Sequence, residues 1–216
     1  MKDTKNIPEI DKKWKRFQKH FNLQEKQIEK FQRYSLMLQE WNKKINLTAI
    51  SDPGDIITSH FQDSLMLSHF VEINDISMLA DVGAGAGFPS LPLKICYPHL
   101  SIVLIEVIQK KIQFLHKIID TLELSNVEIC DLDWRTFLRS TDYPIELFCA
   151  RASVSVEELI RMFSPISPYH SAQLVYWASK NWVIPEFVQP YVCRQEQYTI
   201  DNKQRRYIFL QSPARK

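Results

Sequence analysis

The feature that most constrains this chain is the run MLADVG at 78–83, which opens a cluster of glycines. The whole chain has only four glycines, and three of them (Gly83, Gly85, Gly87) fall within five residues. A short apolar run ending in glycines reads as a buried strand that turns sharply into a helix. Glycine supplies the backbone freedom for the turn and lets the main chain approach a ligand where a Cβ would clash. The carboxyl end of such a strand is where open α/β sheets bind ligands. The spacing is G-x-G-x-G, and Phe88 stands where a dinucleotide fingerprint wants its third glycine. NAD, FAD and S-adenosylmethionine sites all use such a turn, and a purely structural tight turn gives the same sequence.

The rest of the chain alternates accordingly. Residues 1–50 read as helical, with Phe31, Tyr34, Leu38, Trp41 and Ile45 on one apolar stripe. Asp52-Pro53-Gly54 reads as a turn, and a further helix is expected over about 55–71. After the strand at 78–83, a helix is expected from near Pro89 to Tyr97, a strand at 101–106 and a helix at 109–122. Strands at 127–130 and 145–149, a helix at 155–163, and strands at 174–178 and 207–210 complete the pattern. This predicts an α/β fold, a mostly parallel Rossmann-like sheet with helices on both faces. An N-terminal helical extension (1–72) is expected to pack on a core at 73–216.

Glu106 sharpens the reading. It ends the second strand, where a carboxylate can accept both ribose hydroxyls of an adenosine, although a solvated strand-end acid looks the same. Together, the glycine turn and the acid point to a nucleoside-type cofactor. No G-x-x-x-x-G-K-[ST], H-E-x-x-H or G-x-S-x-G occurs. Four separated cysteines without a C-x-x-C argue against zinc or a disulfide framework, so no metal is expected. No stretch approaches 18 uninterrupted apolar residues, and the Lys-rich start lacks a signal-peptide core. A cytoplasmic monomer without a membrane partner is expected. Charge is segregated: residues 1–50 carry 12 Lys/Arg against 6 Asp/Glu, 51–190 carry 9 against 17, and 191–216 carry 6 against 2. Basic ends can hold a polyanion, and a solvated helix face gives the same pattern.

Several ordered motifs carry a resemblance: WNKKINLTAI at 41–50, HFQDS at 60–64, DVGAGAGFPSLPLKI at 81–95, KKIQFL at 110–115, LSNV at 124–127 and Arg151-Ala152. The chain resembles the glucose-inhibited division protein B family, the small-subunit ribosomal RNA guanine-N7 methyltransferases. The resemblance implies S-adenosyl-L-methionine as cofactor. It implies N7 of a guanine in 16S ribosomal RNA (guanine 527) as methyl acceptor, in free RNA or in the small-subunit particle. It also implies cofactor contacts along the glycine turn (Asp81, Gly83, Gly85, Gly87, Phe88), at Glu106, at Trp134 and Arg135 after the third strand, and at Arg151. Lys180 falls where the family has a lysine after its fifth strand. Asp133 departs from the family, which commonly has an arginine there, and the stretch from Lys180 to Arg205 is short.

Guanine N7 has a free lone pair, so its methylation needs no general base and rests on positioning. Arg151 and then Lys180 are the catalytic candidates, as donors that would orient the base. Ion pairing of Arg151 and solvation of Lys180 are the bland alternatives. His60 and Asp63 share a helix face, beside the pocket or as a structural pair. Asn46 and Thr48 suit turn chemistry or RNA contact. Trp177 and Trp182 flank Lys180 and are either stacking platforms or core. A small-molecule or protein methyltransferase and a non-catalytic RNA-binding relative remain as other readings. A nicotinamide enzyme is disfavoured by Phe88.

Overall fold

The apolar runs form the centre of a seven-stranded sheet. The structure is a computed structural model that describes residues 7–151 and 154–213, so Ala152 and the last three residues of the basic tail lie outside the described residues. The strands are β1 (Met78–Val82), β2 (Ser101–Ile105), β3 (Val127–Cys130), β4 (Leu147–Arg151), β5 (Gln173–Ser179), β6 (Val192–Ile200) and β7 (Lys203–Leu210). Their order is β3-β2-β1-β4-β5-β7-β6. The first five are parallel, and β7 runs antiparallel between β5 and β6. The order reverses beside β1, and this switch point opens a crevice at the strands' carboxyl ends.

Side-chain alternation divides the core. Leu79, Ile102, Leu104, Leu147, Val175 and Phe209 face one layer. Ala80, Val103, Phe148, Leu174 and Ile208 face the other. The first layer holds α1 (Ile7–Phe21), α2 (Glu25–Asn42), α5 (Ser90–Cys96) and α6 (Gln109–Thr121). Phe31, Tyr34 and Leu38 of the predicted stripe are fully buried there, and Trp41 packs on Phe114. The second layer holds α7 (Trp134–Ser140) and α8 (Val156–Leu159).

Three local expectations change. Asp52-Pro53-Gly54 is a helix start and no turn: Asp52 accepts from Asp55 N, and Pro53 opens α3 (Pro53–Ile56). The single helix expected at 55–71 is broken into α3, a π-helical turn (Ile57–Gln62), α4 (Asp63–Leu65) and a 3₁₀ turn (Met66–His69). The stretch after Lys180 contains β6, an edge strand whose polar alternation hid it. Asp133 caps α7 by accepting from the Arg135 and Thr136 amides, which gives this departure from the family a local use.

Candidate active site

The glycine turn follows β1, with φ of 69° at Gly83, 60° at Gly85 and 87° at Gly87. Its amides are tied to the sheet: Gly83 N and Ala84 N donate to Ile105 O at 2.8 and 3.0 Å. Tyr34 of α2 donates its hydroxyl to Ala86 O. A Cβ at Gly87 would lie 2.5 Å from Leu91 and 2.8 Å from the Tyr34 hydroxyl, so this glycine serves packing. A Cβ at Gly85 would meet nothing nearer than Gly83 O at 3.8 Å. Gly85 therefore borders open space.

Glu106 lies against this turn. It is only 5% exposed. Gly85 N donates to its Oε2 at 2.9 Å, and Val107 N and Ile108 N donate to its Oε1 at 3.0 Å each. Lys111 Nζ stands 3.8 Å from Oε2. The carboxylate is thus aimed at the turn, as the sequence reading requires. Between them lies a cavity of about 450 Å³, within the usual size of a small-ligand site. Its walls include Gly83, Gly85, Phe88, Glu106, Thr48 and Arg151.

Asp81 sits behind the turn, fully buried. Ser90 Oγ donates to its Oδ2 at 2.7 Å, while Oδ1 has no hydrogen-bond partner among the described residues. Burial raises its carboxyl to about 7, against the lowering pull of Ser90 and Arg151.

The opposite wall is a charged network. Arg151, at the end of β4, donates from Nη1 to Asp63 Oδ2 (3.1 Å) and Ser59 O (3.4 Å), and from Nη2 to His60 Nδ1 (2.9 Å). Asp63 is fully buried; its Oδ1 accepts from Tyr198 Oη at 2.9 Å and lies 3.1 Å from Arg205 Nε. The π turn presents both His60 and Asp63 to one guanidinium, a widening often found at functional sites. His60 stacks on Phe88 with ring centres 4.4 Å apart. Burial first, then Arg151 and Arg205, lowers its imidazole to about 3, so it is neutral. The ion-pair reading of Arg151 and its place on the crevice therefore hold together.

The other candidates lie elsewhere. Trp134 packs between Phe137 and Phe148 and donates Nε1–H to Glu158 O. Arg135 forms a two-pronged pair with Glu158. Lys180 is exposed in the turn beyond β5. None of these three lines the crevice. Trp177 is buried against Tyr207, and Trp182 packs on Tyr176. Asn42 holds the turn at Leu47 and Thr48, so turn chemistry accounts for that segment's backbone. Sequence reasoning missed Arg205, which left no local signal, and Lys111, which lay visible one turn into α6.

The sheet order, with its antiparallel seventh strand and a glycine turn facing a strand-end acid, defines the Rossmann-like methyltransferase fold. Human methyltransferase 10 domain-containing protein shares it (TM-score 0.57, 13% identity, 69% of this chain and 81% of that one). So does MtNAS, solved with MTA and tNA (TM-score 0.58, 10% identity, 82% and 70%). Residues 27–181 match the family model described as rRNA small subunit methyltransferase G, GidB. The chain belongs to this family. Ribosomal RNA small subunit methyltransferase G of Bacillus subtilis is 38% identical over 151 residues, 69% of this chain and 63% of the relative. The Leuconostoc citreum protein of the same name is 51% identical over 109 residues, 50% and 46% of the two chains. The match thus spans less than two thirds of the length of these relatives.

Proposed function

We propose that this protein transfers the methyl group of S-adenosyl-L-methionine to N7 of a guanine in 16S ribosomal RNA, in the cytoplasm. The observation that carries the reading is the Glu106 carboxylate, held by three backbone amides against a glycine turn that borders open space. A nucleoside fits this arrangement. Glu106 commits three of its four lone pairs to backbone amides and keeps one, on Oε2, for a ribose hydroxyl, and the half-exposed Val107 and Ile108 offer an apolar surface to a flat base. Gly83, Gly85 and Phe88 form the wall along the remainder of the cofactor. Asp81 and Gly87 act behind it, fixing the turn.

When bound, the sulfonium supplies an activated methyl group. The protein's own part is to align the acceptor with it, and such alignment is worth roughly 7–11 kcal/mol in well-oriented systems. Arg151 carries five N–H donors, three of them committed to Asp63, Ser59 and His60. The others are proposed to orient the target nucleotide. Lys180, exposed near the strands' carboxyl ends, is proposed to hold phosphate. Trp134 and Arg135 act at one remove by fixing the segment after β3.

Titration calorimetry with S-adenosylmethionine tests the cofactor half. Wild type is expected to bind, and Glu106→Ala to bind at least tenfold more weakly, since charge-assisted hydrogen bonds are worth about 1.5–3 kcal/mol. Absence of binding by wild type ends the proposal. Methyl transfer to small subunits from cells lacking the gene, mapped by borohydride–aniline cleavage, tests the RNA half.

A further inference from the structure

Resting on the function just proposed, a hydrogen-bond chain on the crevice wall fixes the direction of one hydroxyl. It begins at Arg151, whose guanidinium has donors only, so His60 Nδ1 at 2.9 Å must accept. A neutral imidazole that accepts at Nδ1 carries its hydrogen on Nε2. That nitrogen lies 2.9 Å from Thr48 Oγ1 and therefore donates to it. Ile50 N donates to the same oxygen at 3.1 Å. A threonine hydroxyl has two lone pairs and one hydrogen. Both lone pairs are taken, so the hydroxyl can only donate, and among the described residues no protein acceptor receives its hydrogen. Its backbone cannot swing away, because Asn42 binds both Thr48 N (3.0 Å) and Thr48 O (2.8 Å). The residue lines the crevice with His60, Phe88 and Arg151.

We infer that Thr48 is a specificity-determining donor whose hydroxyl hydrogen is received by the 6-oxo group of the target purine. The chemistry suits the reaction. Attack needs the N7 lone pair free, so a donor at that edge of the base is best received by the neighbouring O6. A single directed O–H does this without capping N7. An adenine would turn its 6-amino group, itself a donor, against the hydroxyl and be rejected. Asp63 and Arg151 then act at a distance, by setting the tautomer of His60 and through it the polarity of Thr48. The cofactor's carboxylate is the other acceptor that a fixed donor here could meet.

The test compares 16S ribosomal RNA carrying guanine or 2-aminopurine, which lacks O6, at the mapped target position. Single-turnover methyl transfer is measured with the full chain and its Thr48→Ser and Thr48→Val variants, alongside calorimetric S-adenosylmethionine affinity. Wild type and Thr48→Ser are expected to favour guanine by about tenfold more than Thr48→Val does, as one hydrogen bond allows. Loss of packing or of the turn would slow both RNAs equally and leave the preference intact, which overturns the inference. Weakened cofactor binding with unchanged base preference assigns the hydroxyl to the cofactor's carboxylate and overturns it as well. Should Thr48→Val not fold, nitrogen-15 NMR of wild-type His60 decides the chain's direction: hydrogen on Nε2 supports it, hydrogen on Nδ1 overturns it. Wild-type protein that binds no S-adenosylmethionine sinks the underlying function, a result separable from every one above.

Discussion

Two buried titratable side chains oppose each other in their response to pH. Asp81 is raised from 3.8 to about 7, so the folded state holds a proton that the unfolded chain releases between these values. Its contribution is complete below pH 4 and is lost as pH rises towards 7. His60 is lowered from 6.5 to about 3, so the unfolded chain takes up a proton that the folded state refuses. Its contribution is complete above pH 6.5 and is lost as pH falls. Each slope is roughly 1.4 kcal/mol per pH unit, and between about pH 4 and 6.5 the two cancel. Relative to wild type, Asp81→Asn is expected to lose about 3 kcal/mol between pH 6.5 and 4.5, and His60→Gln to gain a similar amount. Urea denaturation at the two pH values measures this, and variants that track wild type refute it. At this scale the sequence exposed Glu106 and Gly85 because strand end and turn are local features. It did not expose the two ion pairs of Asp63, since Arg151 and Arg205 are brought to that carboxylate only by the fold.

Among the elements, the break at 57–62 has the greatest effect on the site. A regular helix was expected there from the apolar period of Ile56, Phe61 and Leu65, and all three are indeed buried. The period reports which residues face inward and is blind to the extra residue per turn. In the wider turn Ser59, His60 and Asp63 all meet the Arg151 guanidinium. Asp63→Asn leaves Arg151 and the partly exposed Arg205 without the buried counter-charge they share. It is expected to cost about 3–5 kcal/mol, read as a lowered denaturation midpoint. A change below 1 kcal/mol would show that the ion pairs do not hold this segment. β1 and β2 were legible because burial makes their apolar runs continuous, and α6 because its apolar residues recur at the helical period. α7 was not, being a short helix of about two turns set by its Asp133 cap. β6 was not, because an edge strand facing solvent alternates with polar residues.

For the whole molecule, the N-terminal helices and the sheet share one apolar cluster, running from Phe17 and Phe31 through Leu79 to Phe209. We propose that the extension at 1–72 and the core at 73–216 unfold as one unit. Near- and far-ultraviolet circular dichroism are expected to report a single coincident transition. Phe31→Ala is expected to lower it by about 3–5 kcal/mol without splitting it. A separate early melt of helix signal would contradict this.

Tyr34 gives that union a further meaning. Its hydroxyl grasps the carbonyl of Ala86, one residue along from the amide that Gly85 gives to Glu106. We propose that occupancy of the crevice and docking of the second helix are coupled through this turn, and linkage then makes each strengthen the other by an equal free energy. Amide exchange along that helix would slow as nucleoside ligand is added, making a segment remote from the chemistry its natural gauge.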